Sequence, residues 1–185
     1  MPSFDRPEPA TGFVNIGSPE EANLSRLLHR LVGTGSPGAA RAFIDRNPRV
    51  RQPNMVTALM NSAMTANGAG EAHQAKAFHT YAMEVCGTED PIAPAVINEV
   101  LVAASALMDG APADPAMAGR FLDAARSRKH IDAVGSCHPD IAVPTFETFS
   151  AAVANLAKFS ENPSAVRSTA ADLARCATEA AHALP

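Results

Sequence analysis

The sequence has few aromatic side chains and no long apolar segment. Its 185 residues include one Tyr and no Trp, and aromatic residues make up 5% of the chain although hydrophobic residues make up 46%. Much of the apolar content is therefore alanine, which predicts thin cores between closely spaced helices. No apolar run is long enough to form a typical membrane-spanning helix.

Cysteine is scarce, and the three thiols are widely spaced. Cys86, Cys137 and Cys176 form no Cys-x-x-Cys motif, and an odd number of separated cysteines is typical of reduced thiols in a cytosol-like compartment. His73 and His79 are six positions apart, so they do not share a helix face as paired metal ligands do. We therefore expect no metal site, and we interpret Cys86 and Cys176 as small core residues.

Neither sign of charge dominates the chain. The formal net charge is −4, which gives no general reason to expect a polyanionic partner. Residues 1–53 hold seven Arg and five acidic residues, whereas residues 54–185 hold eight Lys and Arg against fourteen acidic residues. Two local cationic clusters contain Arg41, Arg46, Arg49 and Arg51, and Arg126, Arg128, Lys129 and His130. Cations late in a helix complement its dipole, so both clusters are consistent with solvated helix ends.

The N-terminal segment lacks helical patterning. Residues 1–17 also lack the positively charged and apolar regions of a cleaved signal peptide. We predict a flexible leader over residues 1–17 and a single helical-repeat domain over residues 18–185. We also predict a cytoplasmic location, with non-classical secretion left open.

Five helix starts are marked by a capping residue followed at once by proline. The side-chain oxygen of the capping residue accepts a hydrogen bond from an unpaired backbone N–H, and proline at the first helical position has no N–H to leave unpaired. These five pairs are Ser18-Pro19, Ser36-Pro37, Asp90-Pro91, Asp114-Pro115 and Asn162-Pro163.

Apolar residues between these starts recur with the helical period. Val56, Leu59, Met60 and Ala63 form one stripe, and the break at residues 67–70 separates it from an Ala-rich run. Strand-like alternation is missing, so we predict an all-α fold. About eight helices are expected, near 19–32, 37–47, 54–66, 71–87, 91–109, 115–130, 144–160 and 163–182.

Short connections favour four antiparallel hairpins, stacked as in an α–α superhelix. The exception is the connector of residues 129–143, which is either a loop that interrupts the stack or an ordered linker to the last hairpin. Matching inner positions are 32, 41 and 53 residues apart, so any repeat is degenerate; these positions are Leu27, Leu59, Val100 and Val153.

Three strings resemble the start of a pentatricopeptide repeat, in which a Pro-Asp or Pro-Asn turn precedes the first helix. They are P-N-M-V-T-A-L-M from Pro53 to Met60, A-P-A-V-I-N-E-V-L from Ala93 to Leu101, and H-P-D-I-A-V-P-T-F-E-T-F from His138 to Phe149. The pattern of Ala75, Phe78 and Met83 is similar to the second helix of that family. Tetratricopeptide arrays are also built from paired antiparallel helices. The resemblance implies a helical-hairpin repeat protein.

Pentatricopeptide arrays read RNA one base per repeat. The resemblance would make Asn98 a base-reading residue, and Arg46, Arg49 and Arg51 would contact phosphates. Glu147 occupies the matching position of the last hairpin, where a carboxylate would repel the phosphate chain. The matching Asn is absent from the string that begins at Pro53.

Recognisable catalytic and cofactor motifs are missing. Gly33, Gly35 and Gly38 spell G-x-G-x-x-G, but no strand is predicted before them, so we interpret them as a helix end and turn. Cys137 and His138 are adjacent, and neighbouring side chains point apart, whereas a nucleophile and its base must lie within hydrogen-bond reach. We interpret Cys137 as a loop cysteine. We expect no cofactor and assign no catalytic residue.

These observations favour a non-enzymatic helical-repeat module that binds a protein or peptide partner in a concave groove lined by the first helices of the hairpins. The alternative is a small RNA-binding protein that uses Arg46, Arg49, Arg51 and Asn98. An enzyme with an unrecognised site and a secreted bacterial effector are further alternatives. No membrane partner is expected, and the sequence does not specify an oligomeric state.

Overall fold

The computed structural model describes residues 19–108 and 114–183. These ranges contain nine α-helices and no β-strand, which confirms the predicted all-α fold. The predicted leader over residues 1–17 and the cap at Ser18 lie outside the described residues. The helices are α1 (Pro19–Val32), α2 (Pro37–Arg46), α3 (Pro53–Gly68), α4 (Ala72–Cys86), α5 (Ala93–Met108), α6 (Pro115–Arg126), α7 (Arg128–Gly135), α8 (Pro139–Leu156) and α9 (Pro163–His182).

Three of the predicted helix starts are confirmed. The side-chain oxygens of Ser36, Asp114 and Asn162 accept hydrogen bonds from backbone N–H groups at 3.3, 2.9 and 3.2 Å. Proline occupies the first or second helical position after each of them. Asp90 accepts a similar bond at 3.0 Å, but within a turn, so α5 begins only at Ala93.

The segment between α6 and α8 differs from the prediction. The connector expected over residues 129–143 consists largely of α7 and the first turn of α8, and α8 begins at Pro139 rather than Pro144. The Nδ1 atom of His138 caps α8 by accepting from the N–H of Asp140 at 3.2 Å. Proline favours the first turn of a helix, which is why the sequence pointed to Pro144. The buried stripe of α8 continues through that proline: Ile141, Thr145, Phe146 and Phe149.

Two helical hairpins form the body of the fold, and α5 joins them. Helices α3 and α4 pack against each other along their lengths, as do α8 and α9, and α5 lies between α3 and α8. Helix α6, the predicted hairpin partner of α5, makes a smaller contact with it and also touches α7, α8 and α9. Helix α2 lies mainly on α4, and α1 contacts α2, α3 and α4. None of the described helices is both long and apolar enough to cross a bilayer.

The largest buried side chains of the core come from α8. Phe146 and Phe149 are 2% and 0% exposed, and the ring of Phe149 lies 4.9 Å from that of Phe121, centroid to centroid, at an interplanar angle of 51°. Tilted aromatic pairs at this separation are favourable beyond the area that they bury. The Phe149 ring therefore packs α8 against α6 in the same core that α5 enters.

We expect Phe149→Ala to lower the free energy of unfolding by about 3–5 kcal/mol, because it leaves a cavity in a closely packed core. Phe159→Ala is the matched control, since that ring is 50% exposed. It should cost less than about 1 kcal/mol. Urea unfolding followed by far-ultraviolet circular dichroism measures both, and equal losses would contradict the burial described for Phe149.

Candidate binding surface

Arg51 closes the carboxyl end of α4. The short 3-10 turn Pro48–Val50 precedes it, and the Arg51 guanidinium donates to the carbonyl oxygens of Glu84 and Val85 at 3.2 and 2.9 Å. The last carbonyls of a helix lack donors within the helix and carry the negative end of its dipole. The Arg51 side chain is only 15% exposed, so its charge interacts mainly with these groups of the protein itself.

Gly87 follows α4 directly and permits this close approach. Its φ of 67° lies in the left-handed region that favours glycine. A Cβ at this position would lie 2.9 Å from Nη1 of Arg51 and 3.2 Å from Cβ of His138. The N–H of His138 donates to the carbonyl oxygen of Cys86 at 2.7 Å. The end of α4 is therefore joined to both Arg51 and the turn before α8, and we call this contact the α4 junction.

The other predicted binding residues differ in their surroundings. Arg46 and Arg49 are exposed. Asn98 is half-buried in α5, and its Oδ1 atom is buried without a hydrogen-bond partner. No hydrogen bond or ion pair in the described part of the chain links Asn98 to these arginines or to Arg51. The structure thus leaves two of the four side chains facing solvent.

The second predicted cationic cluster is largely paired within the protein. Three of its members have acidic or hydroxyl partners: Arg126 with Thr169 at 3.2 Å, Arg128 with Asp132 at 2.9 Å and His130 with Glu99 at 3.7 Å. Such pairs at a surface are screened by water and contribute little to stability. Of the three contacts, that of Arg128 with Asp132 joins a guanidinium to a carboxylate and so offsets part of the positive charge at this end of the molecule.

Cys137 and His138 are not arranged as a nucleophile and its base. The thiol of Cys137 is buried and donates to the carbonyl oxygen of Ala133, with Sγ 3.5 Å from the oxygen. The Nδ1 atom of His138 is engaged as the cap of α8. Over residues 19–108 and 114–183, no three His, Cys, Asp or Glu side chains are placed to hold a metal ion.

Cys137 lies in the turn between α7 and α8, as expected for a loop cysteine, and its side chain is buried at the α4 junction. The backbone hydrogen bond from His138 to Cys86 places it near Cys86, which is 0% exposed. Two causes raise the pKa of the Cys86 thiol. The larger is its interaction with the Cys137 thiol, and the smaller is its burial away from solvent. Both cysteines are free thiols in this structure. No spacing in the sequence could reveal that they meet.

An open groove runs between α8 and α9. It has a volume of about 430 Å³ and is lined by Val143, Glu147, Ser150 and Ala151 from α8 and by Ala174, Ala177, Thr178 and Ala181 from α9. Half of these residues are alanines, which leave space above two closely packed backbones. Ser150 bridges the two helices, since its hydroxyl donates to the carbonyl oxygen of Ala170 at 2.8 Å. We call this surface the α8–α9 groove.

Glu147 is the one ionisable residue that lines the α8–α9 groove. It is exposed, and no ion pair within the described residues involves it. The sequence analysis expected a groove along the first helices of the hairpins and did not identify this one. A signal was present, since small side chains recur at i, i+3, i+4 and i+7 from Ala174 to Ala181, beside the buried stripe.

Comparison with known proteins gives no relative from which a function could be transferred. No family model matches the chain, and no curated protein or solved structure is significantly similar to it. The resemblance to pentatricopeptide repeats therefore stays a prediction.

Arg51→Met removes the donors to the end of α4 while keeping a long apolar stem. We expect it to lower the free energy of unfolding by about 1–3 kcal/mol, because two carbonyl groups lose a charged donor. Arg49→Met is the matched control at an exposed position, and it should change stability by less than about 0.5 kcal/mol. Chemical denaturation of both variants measures the difference. Equal effects would contradict the capping role of Arg51.

The raised pKa of Cys86 predicts a loss of stability in alkali. The unfolded thiol titrates near 9.0, whereas folded Cys86 keeps its proton, so the unfolded chain releases protons first as the pH rises. The contribution of Cys86 to the free energy of unfolding should be fully present below about pH 8 and should fall progressively above about pH 9. Cys86→Ala should lose less stability than the wild type over the same interval, measured as the shift in urea midpoint. Parallel curves for the two proteins would contradict this.

Proposed function

We propose that this protein is a non-enzymatic helical module that binds a segment of a protein partner in the α8–α9 groove. The observation that carries the proposal is the groove itself, an open channel of about 430 Å³ with a mostly small and apolar lining. Glu147 is the one ionisable residue in its lining, so the groove has no second titratable group to act with it in acid–base chemistry. A binding role suits such a surface better than a catalytic one.

The dimensions of the groove favour a short helix as the occupant. From Val143 to Ala151 the α8 side spans nine residues, so its ends are about 12 Å apart along the helix axis, or about two helical turns. Amphipathic helices bind such grooves through apolar anchors spaced three or four residues apart. Ala174 and Ala181 are exposed and Ala177 forms a buried floor, so branched side chains of the partner can approach the backbone.

Charge favours a partner with a basic residue. The carboxylate of Glu147 has no ion-pair partner in the described structure, so a Lys or Arg of the bound segment would complement it. The same carboxylate disfavours a phosphate backbone at this surface. For the RNA alternative, the support is weaker, because Arg51 is engaged at the α4 junction and Oδ1 of Asn98 is buried.

The groove also differs in position from the one that the sequence suggested. A concave face lined by the first helices of successive hairpins was expected, whereas the α8–α9 groove lies between the two helices of one hairpin. The proposal therefore concerns this hairpin and does not require a regular repeat.

Selection from a displayed library of helical peptides provides a ligand with which to test the proposal. Selected peptides should carry apolar anchors at i, i+3 or i+4 together with a basic residue. When added to isotopically labelled protein, they should shift the amide signals of residues 143–151 and 174–181 more than those of α1 to α4. Shifts confined to other helices would contradict the assignment of the groove.

We expect Ala174→Gln to weaken binding of the selected peptide by about tenfold or more, which corresponds to about 1.4 kcal/mol. The longer side chain would fill the groove, and its exposed position leaves the fold intact. Ala171→Gln is the matched control, because Ala171 is also exposed on α9 but does not line the groove. Isothermal titration calorimetry compares the two variants.

The RNA alternative has its own measurement. Filter binding of a random single-stranded RNA pool at low salt should show no retention of RNA by the wild-type protein. Retention that weakens steeply with salt, and that is lost in a variant lacking Arg46 and Arg49, would favour the alternative and overturn the proposal.

A further inference from the structure

Backbone geometry at the α4 junction holds the Cα atoms of two cysteines close together. The N–H of His138 donates to the carbonyl oxygen of Cys86 at 2.7 Å. The two bonded atoms lie only two covalent bonds from Cα of Cys137 and from Cα of Cys86. Standard bond lengths therefore keep these two Cα atoms within about 7.5 Å of each other, and any bend in the path shortens the distance. Disulfides span Cα separations of about 4.4–6.8 Å.

The thiols themselves are also adjacent. The Cys137 thiol donates its only proton to the carbonyl oxygen of Ala133, with Sγ 3.5 Å from that oxygen. Its sulfur keeps lone pairs that can accept a hydrogen bond from the Cys86 thiol, whose pKa the Cys137 side chain raises.

Several contacts besides the backbone bond hold this arrangement in place. The hydroxyl oxygens of Thr88 and Ser136, which flank the two cysteines, lie 2.8 Å apart. Arg51 binds the last carbonyls of α4, and Gly87 fits between Arg51 and His138 without a Cβ. A disulfide here would connect elements that already touch, so it requires no rearrangement of helices.

We propose that Cys86 and Cys137 form a redox-responsive pair, which a hydroperoxide converts into an intramolecular disulfide and a thiol reductant restores. The inference does not depend on the proposed function of the α8–α9 groove. It assigns a modification site to residues that the sequence treats as a core residue and a loop residue.

The chemistry proceeds in two balanced steps. Cys137, at 6% exposure, is more accessible than Cys86 at 0%, so it reacts first. Its sulfur attacks one oxygen of the peroxide and the O–O bond breaks. Cys137 becomes a sulfenic acid, and the other oxygen takes the thiol proton and leaves as an alcohol or as water. The Cys86 sulfur then attacks the Cys137 sulfur, the S–O bond breaks, and the departing hydroxyl group takes the thiol proton to form water. Two electrons pass from the two thiols to the peroxide.

Peptide mapping by mass spectrometry tests the proposal directly. The full chain is treated with hydrogen peroxide, unfolded, alkylated and digested without reductant. We expect a linked peptide that contains Cys86 and Cys137, with Cys176 recovered mainly in monomeric, unlinked peptides. Dithiothreitol should abolish the linked peptide and restore both alkylatable thiols.

The third cysteine is a control present in the same sample. Cys176 is partly exposed and lies on α9. Oxidation of Cys176 without any linkage of Cys86 to Cys137 would overturn the proposal, and so would linkage of Cys86 mainly to Cys176. In Cys86→Ala, Cys137 should stop at the sulfenic acid and be trapped by dimedone. If that variant fails to fold, the linked peptide of the wild type still decides the question.

Thermal unfolding provides a second readout. The disulfide would close a loop from residue 86 to residue 137 and restrict the unfolded chain. We expect the melting temperature of the oxidised protein to rise by about 10 °C and to return on reduction. A melting temperature that falls on formation of the linked peptide would show that the folded geometry does not accommodate the bond, and it would overturn the proposal.

Discussion

The burial of α5 between two helical hairpins is the constraint on which the rest of the structure depends. Helix α5 packs against α3 on one side and α8 on the other, and its buried residues are almost all aliphatic. With few aromatic side chains available, the core gains its apolar contacts through close approach of backbones at alanine and valine. Small side chains also line the α8–α9 groove, which leaves it open at the surface.

The α4 junction is a second constraint and accounts for the position of several polar groups. Arg51 satisfies the end of α4, Gly87 allows the guanidinium to approach, and His138 continues the contact into the turn before α8. Polar groups that close a buried helix end cannot be removed without leaving unpaired carbonyls. The junction therefore holds Cys86 and Cys137 together as a consequence of how two distant segments are joined.

Local rules allowed much of the fold to be predicted from the sequence. The all-α class followed from the helical period, and the caps at Ser36, Asp114 and Asn162 followed from side-chain chemistry within one turn. The predicted start of α8 was wrong because proline usually marks the first turn of a helix. Here the helix continues through Pro144, since the residues on both sides of it form one buried stripe. The role of Arg51 and the meeting of Cys86 with Cys137 depend on contacts between distant segments, which no local pattern encodes. The alanines next to the buried stripe of α9 weakly indicated the groove. The depth of the groove could not be predicted, because it depends on how closely α8 approaches α9.

Our central proposal is that a helical segment of another protein occupies the α8–α9 groove. A crystal structure of the chain bound to a selected helical peptide tests this most directly. We predict a peptide helix along the α8–α9 groove, with an apolar side chain over Ala177 and a Lys or Arg paired with Glu147. A peptide bound elsewhere on the molecule, or bound in an extended form with no contact to Glu147, would contradict it.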